Sequence, residues 1–317
     1  MVHDHAHGLP DDTLLSTDKG IRALKVSLLG LLATAAFQAG IAIVGGSAAL
    51  LADTIHNLAD AFTTVPLWIA FVLARRQATR RFTYGYGRAE DVAGAVILLF
   101  ILFSAGVSGY ESYVKLVRGE PITLLGLGML AGLVGVVGNE AVARYKIRVG
   151  NEIGSASLVA DGQHSRVDGL TSLAAFLGLL GVFLGRQFDI PGLALADPIA
   201  GFVITLAILW ILVDVGADVV GRLMDAIDPA IVEEMERIAT SVEGVSSVHD
   251  LRARWLGHNI TMEIHICVAG GQTLAEAHAL GEKVRHELLH HIPRLSDVIV
   301  HADPQDETEG CRGGETM

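Results

Sequence analysis

The 317-residue chain is short of charge, of aromatic side chains and of cysteine. Lysine, arginine, aspartate and glutamate make up 18% of it and aromatics 6%, against 51% hydrophobic residues. Mean hydropathy is +0.48. A soluble domain has about a quarter of its residues charged, so a chain this poor in charge reads as a membrane protein. Its only cysteines, Cys267 and Cys311, are too few for a disulfide-stapled secreted scaffold, and in a reducing compartment no disulfide is expected between them. The opening "MVHDHAHGLPDDTLLSTDKG" lacks the basic start and small-residue cleavage site of a signal peptide, so the first apolar run is expected to stay as a helix.

Six apolar runs are present, near residues 22–44, 48–74, 89–117, 122–143, 153–185 and 197–221. Each reaches the about 20 residues a helix needs to cross a hydrocarbon layer of about 30 Å. Arginine and lysine cluster before the first run (Lys19, Arg22, Lys25), after the second (Arg75, Arg76, Arg80, Arg81, Arg88) and after the fourth (Arg144, Lys146, Arg148). The opposite connections carry only Lys115, Arg118 and Arg186. The excess of positive charge on one side predicts that both termini are cytoplasmic.

Composition changes after Arg222. Residues 225–306 have no long apolar run and hold 14 acidic against 6 basic side chains. "DPAIVEEMERIATSV" opens with an aspartate cap and a proline at the first helical position, both helix-start signals. "SVHDLRARWLG" and "HNITMEIHICVAG" alternate as half-buried strands do. A second helix, "TLAEAHALGEKVRHELLHHI", and a last strand, "SDVIVHAD", complete an α-β-β-α-β order. The division predicted is a polar, histidine-bearing tail (1–20), a membrane all-α domain of six transmembrane helices (21–223), a small α+β cytoplasmic domain (224–305) and a disordered tail (306–317).

The most informative feature is a repeat. "ADTIHNLAD" in the second run and "ADGQHSRVD" in the fifth share the pattern A-D-x-x-H-x-x-x-D. At about 100° per residue, Asp53, His56 and Asp60 fall within roughly a 60° sector of one helix, and Asp161, His164 and Asp168 do so on the other. An aspartate at mid-helix costs roughly 2.5–3.5 kcal/mol on insertion, and no lysine or arginine is expected at that depth to offset it. A divalent cation would: His56, Asp60, His164 and Asp168 form a four-ligand N/O set of the kind zinc accepts. Asp53 and Asp161 are placed to orient the imidazoles or carry protons. Isolated polar residues also act as glue between membrane helices, but two matched copies favour an ion site. A zinc hydrolase working inside the membrane is set aside on the expectation that no HExxH motif occurs.

The six-run plan, the paired HxxxD motifs and the histidine-bearing terminal domain resemble the cation diffusion facilitator family. Within it the bacterial zinc/proton antiporters are most similar, through "GVSSVHDLRAR", "MEIHICV", "AEAHAL" and "DVIVHADP". The resemblance implies a homodimeric efflux transporter in the inner (plasma) membrane that exchanges cytoplasmic Zn²⁺ for protons by alternating access. It implies a ferredoxin- or metallochaperone-like terminal domain that binds Zn²⁺ through His249, His265, His278, His301 and Asp303, with ligands from both protomers. It also implies an interlocking salt bridge between Arg88 of "GYGRAED" and Asp225 of "RLMDAID".

The chain departs from those bacterial exporters at His56, where they carry an aspartate, so its set of two histidines and two aspartates is like that of eukaryotic zinc members. Fe²⁺, Co²⁺ and Cd²⁺ share enough of this ligand preference to stay open. The loop "RRQATRRFTYGYGR" has no histidine or aspartate, so the loop metal site of some relatives is expected to be missing. "HDHAH" at residues 3–7 reads equally as a metal trap or as a polar tail. A membrane metal sensor that does not transport is the competing class.

Overall fold

The computed structural model describes residues 11–45, 58, 62–118, 125–305 and 311. Packing divides the chain into two units, one holding residues 16–76 and 89–220, the other residues 1–15, 77–88 and the chain from 221 onward, so the first turn of the N-terminal helix is grouped with the second unit.

The first unit is all-helical: α1 (Asp11–Gly45), α2 (Thr64–Ala74), α3 (Arg88–Arg118), α4 (Leu125–Ile153), α5 (Ala156–Phe188) and α6 (Ala196–Leu223). Five of these are long and apolar enough to cross a membrane, and α2 is a shorter apolar helix. The six spans expected are therefore five among the described residues. α2 is the end of the second apolar run, of which residues 48–57 and 59–61 lie outside the described residues. Large apolar side chains such as Leu99, Phe103, Trp210 and Val213 are exposed, as they are on helices whose solvent is lipid.

Two helices are longer than their apolar runs. α1 begins at Asp11, well inside the segment expected as a polar tail. α4 continues through Arg144, Lys146 and Arg148 to Ile153, so the basic connection expected there is helical. Only Gly154, at φ 74°, and Ser155 separate α4 from α5. Ser155 caps α5 by accepting a hydrogen bond from the Leu158 amide at 3.0 Å. The helices of this hairpin approach closely at Gly162, where a Cβ would lie 3.0 Å from both the Lys146 Cβ and the Ile147 backbone nitrogen. Small residues at such contacts let membrane helices pack backbone to backbone.

That approach corrects a central expectation. Lys146, counted among loop charges in the sequence, is fully buried and lies 2.8 Å from Asp161. Its ammonium also donates to Thr64 Oγ1 at 2.9 Å and to Ser165 Oγ at 3.1 Å. The bundle thus contains its own cation, one that hydropathy misses because α4 extends beyond its apolar stretch. Removing one partner of a buried pair strands the other charge at about 3–5 kcal/mol, whereas replacing both by apolar groups is often neutral. Lys146→Met is expected to destabilise the detergent-solubilised protein by roughly that amount, and Lys146→Met/Asp161→Leu to recover most of it. Denaturant unfolding of the two variants checks this; equal losses in both would contradict it.

The second unit contains α7 (Pro229–Ser241), β1 (Val245–Leu256), β2 (Asn259–Val268), α8 (Leu274–His291) and β3 (Leu295–Pro304), the α-β-β-α-β order expected. The Asp228 side chain caps α7 at the Ala230 amide, and Thr273 with Glu276 forms a capping box on α8. The sheet order is β1-β2-β3, with β1 antiparallel and β3 parallel to β2. A parallel neighbour requires a crossover connection, which α8 supplies. The core joins Met235 and Ile238 of α7, Met262, Ile264 and Ile266 of β2, and Val284 and Leu288 of α8.

Candidate metal centres

The repeated motif is described in its second copy. Asp161, His164 and Asp168 lie on α5 and are 0%, 1% and 8% exposed. Phe100 of α3 stacks beside His164, with ring centroids 6.2 Å apart. Asp161 accepts from Thr64 Oγ1 at 3.3 Å and pairs with Lys146, so its carboxylate is engaged with α2 and α4, a role the sequence reading did not assign to it. Asp53, His56 and Asp60, together with "HDHAH", lie outside the described residues. Thr64, four residues beyond Asp60 in the sequence, is where α2 meets α5.

The terminal sheet assembles a second centre by register. His249 pairs across from His265, and His265 from His301, so one row crosses all three strands. Neighbouring ring centroids are 5.2 and 4.7 Å apart. Asp303, two residues after His301, shares its strand face. Its Oδ2 lies 2.8 Å from His265 Nδ1 and 3.3 Å from His249 Nε2, and its Oδ1 lies 3.1 Å from His301 Nε2. β1 bulges just after His249, and Asp250 takes the left-handed conformation at φ 48°; such bulges re-aim side chains.

Ligand atoms of His249, His265 and Asp303 lie within 4.8 Å of one another. Two imidazoles and a carboxylate suit a borderline dication. Burial works to raise the Asp303 carboxyl, but the His265 hydrogen bond and the charges of His301, His265 and His249 together hold it below its ordinary value. Its contribution to stability is therefore complete at neutral pH and is lost only as pH falls through that depressed value. His278 is exposed on α8, outside this cluster.

Sequence reasoning missed two features here. Cys267 and Cys311 are joined in a disulfide, with Cα atoms 5.7 Å apart. The expectation of two free thiols fails because Cys311 is brought against the buried Cys267 of β2, 8% and 0% exposed respectively. The tail expected to be disordered otherwise lies outside the described residues. The string "HELLH", His286 to His290, does have HExxH spacing, outside the apolar runs. Its two imidazoles stack at 6.3 Å on the exposed side of α8, and among the described residues no third ligand groups with them.

Arg88 and Asp225 are in contact. Arg88 Nη2 donates to Asp225 Oδ1, and Nη1 to the Arg222 carbonyl at 2.9 Å. Arg254 approaches Asp225 to 3.8 Å, and the Arg222 guanidinium lies 4.0 Å over the Trp255 ring.

A family model described as the cation efflux transmembrane domain matches residues 24–224, and one described as the cation efflux protein cytoplasmic domain matches residues 227–305. A probable cation efflux system protein of Mycobacterium tuberculosis is 46% identical over 96% of each chain. The manganese efflux system protein MneP of Bacillus subtilis is 25% identical, covering 89% of this chain and 96% of its own. A solved MamM CTD structure covers 24% of this chain and 96% of its own at 30% identity, with a TM-score of 0.24. With both family domains matched in order and a relative this similar along nearly its whole length, the chain belongs to the cation diffusion facilitator family of cation efflux transporters.

Proposed function

We propose that this efflux transporter exports Zn²⁺ in exchange for protons, through a site formed by His56 and Asp60 of the second span with His164 and Asp168 of α5. The burial of His164 and Asp168 inside the bundle carries this reading, since their pattern is duplicated around His56 and Asp60. Thr64 touching Asp161 supports convergence of the two copies. Two imidazoles and two carboxylates favour a borderline metal over Mn²⁺, which takes mainly carboxylate, carbonyl and water ligands.

Exchange follows from ligand chemistry. Metal binding needs deprotonated imidazole and carboxylate, so protons and metal compete for the same atoms. Alternating exposure of the site to the two sides then couples their movements. Asp161 acts as a positioning residue, since with Lys146 it holds α4 to α5 at the turn before His164. Both termini lie in the cytoplasm and the chain works as a homodimer in the plasma membrane. Arg88 and Asp225 join the start of α3 to the segment after α6. His249, His265, His301 and Asp303 hold regulatory or structural metal in the terminal domain, with His278 offered to the partner protomer.

Proteoliposomes loaded with a pH-sensitive dye test the transport reading. Zn²⁺ uptake with opposed proton movement is expected, and His164→Ala or Asp168→Ala should each lower it on the order of tenfold or more, equivalent to about 1.4 kcal/mol. Zinc binding without flux would instead favour a sensor, and Mn²⁺ flux exceeding Zn²⁺ flux would overturn the metal assignment.

The terminal centre makes a separate prediction. Asp303→Asn should lower the zinc stoichiometry of the full-length protein in calorimetric titration by the ion held in the terminal domain, while leaving the fold intact by circular dichroism. An unchanged isotherm would refute the assignment.

A further inference from the structure

His249 faces two ways. Its Nε2 lies 3.3 Å from Asp303, and its Nδ1 lies 3.4 Å from Cys267 Sγ. Ligand atoms of His249, Cys267 and Cys311 all lie within 4.8 Å of one another. Metal–ligand bonds of about 2.0–2.3 Å in a tetrahedron put neighbouring ligand atoms about 3.3–3.8 Å apart, so the histidine nitrogen and the cysteine sulfur, 3.4 Å apart, already stand at coordination spacing. Cys267 follows His265 by two residues on β2, and its register partner on β3 is Asp303. The sulfur pair therefore borders the imidazole–carboxylate cluster.

We propose that Cys267 and Cys311, when reduced, form with His249 a thiolate-containing site for a borderline or soft dication such as Zn²⁺, and that the disulfide closes this site. The inference rests on the reading that the terminal domain faces the cytoplasm, where a dithiol reductant is at hand. Thiol–disulfide exchange with such a reductant breaks the Cys267–Cys311 bond. Two electrons and two protons pass to the cysteines, and the reductant leaves as its own disulfide. Binding of the dication then displaces the thiol protons, as thiolate rather than thiol is the ligand. A neutral imidazole has one lone pair to give. His249 therefore serves either the sulfur site through Nδ1 or the Asp303 cluster through Nε2, and the redox state of the cysteines decides whether the first is open to it.

The test uses the full-length, metal-free protein in detergent, with Co²⁺ as probe. One sample is reduced with a phosphine that is then removed under argon, and the other is kept oxidised. The reduced protein should gain a near-ultraviolet thiolate-to-cobalt charge-transfer band and bind an additional equivalent of Co²⁺, while the oxidised protein shows neither. Cys311→Ser under reducing conditions should lose the charge-transfer band, whereas His265→Ala should keep it. Absence of the band in reduced wild type, or its persistence at full intensity in Cys311→Ser, overturns the proposal. The comparison of oxidised with reduced wild type needs no variant to fold, and zinc flux measured separately distinguishes failure of this site from failure of the transport reading.

Discussion

A carboxylate buried among apolar helices must be given a positive partner, and the way this chain meets that demand organises its helical unit. Asp161 lies on a face of α5 that no water reaches, and Lys146 of α4 is placed against it with Thr64 of α2 and Ser165 completing the ammonium's hydrogen bonds. Desolvating both charges is costly, and the contacts with Asp161, Thr64 and Ser165 around the ammonium offset part of that cost. The result is a clasp of three helices at the level where α5 begins its trio of ionisable side chains. Asp168 lies two turns further along the same helix.

The terminal domain solves a related problem by strand register. A sheet presents alternate residues to one face, and matching registers set His249, His265 and His301 in a row with Asp303 beneath them. The opposite face of β2 sends Ile264 and Ile266 into the core, so these four side chains stand on a packed sheet. A domain of about 80 residues has a small core, and the Cys267–Cys311 bond ties a residue beyond the last strand to it.

Much of this was legible from side-chain pattern. Strand alternation, the aspartate and threonine caps and the crossover helix of the terminal domain follow from local chemistry, and so does the helical repeat of A-D-x-x-H-x-x-x-D. Lys146 was not legible, because three basic residues after an apolar run look like a loop, and only the continuation of α4 to Ile153 carries the lysine back against α5. Nor was the Cys267–Cys311 bond, since 44 residues separate them and no local signal links a strand cysteine to a polar tail. "HIC" on β2 did hold a clue: two strand residues apart, His265 and Cys267 share a face. The basic residue near α3 and the acidic one after α6 could be matched only through likeness to a family, as nothing local brings Arg88 to Asp225.

The central claim is that the two copies of the motif act on a single ion. A double-mutant cycle on Zn²⁺ affinity between Asp60→Asn and Asp168→Asn tests it most directly, because groups that share one ligand couple while distant groups add. The account predicts strong non-additivity, with the double variant binding scarcely more weakly than either single one. Losses that simply add would contradict it and assign the two aspartates to separate sites.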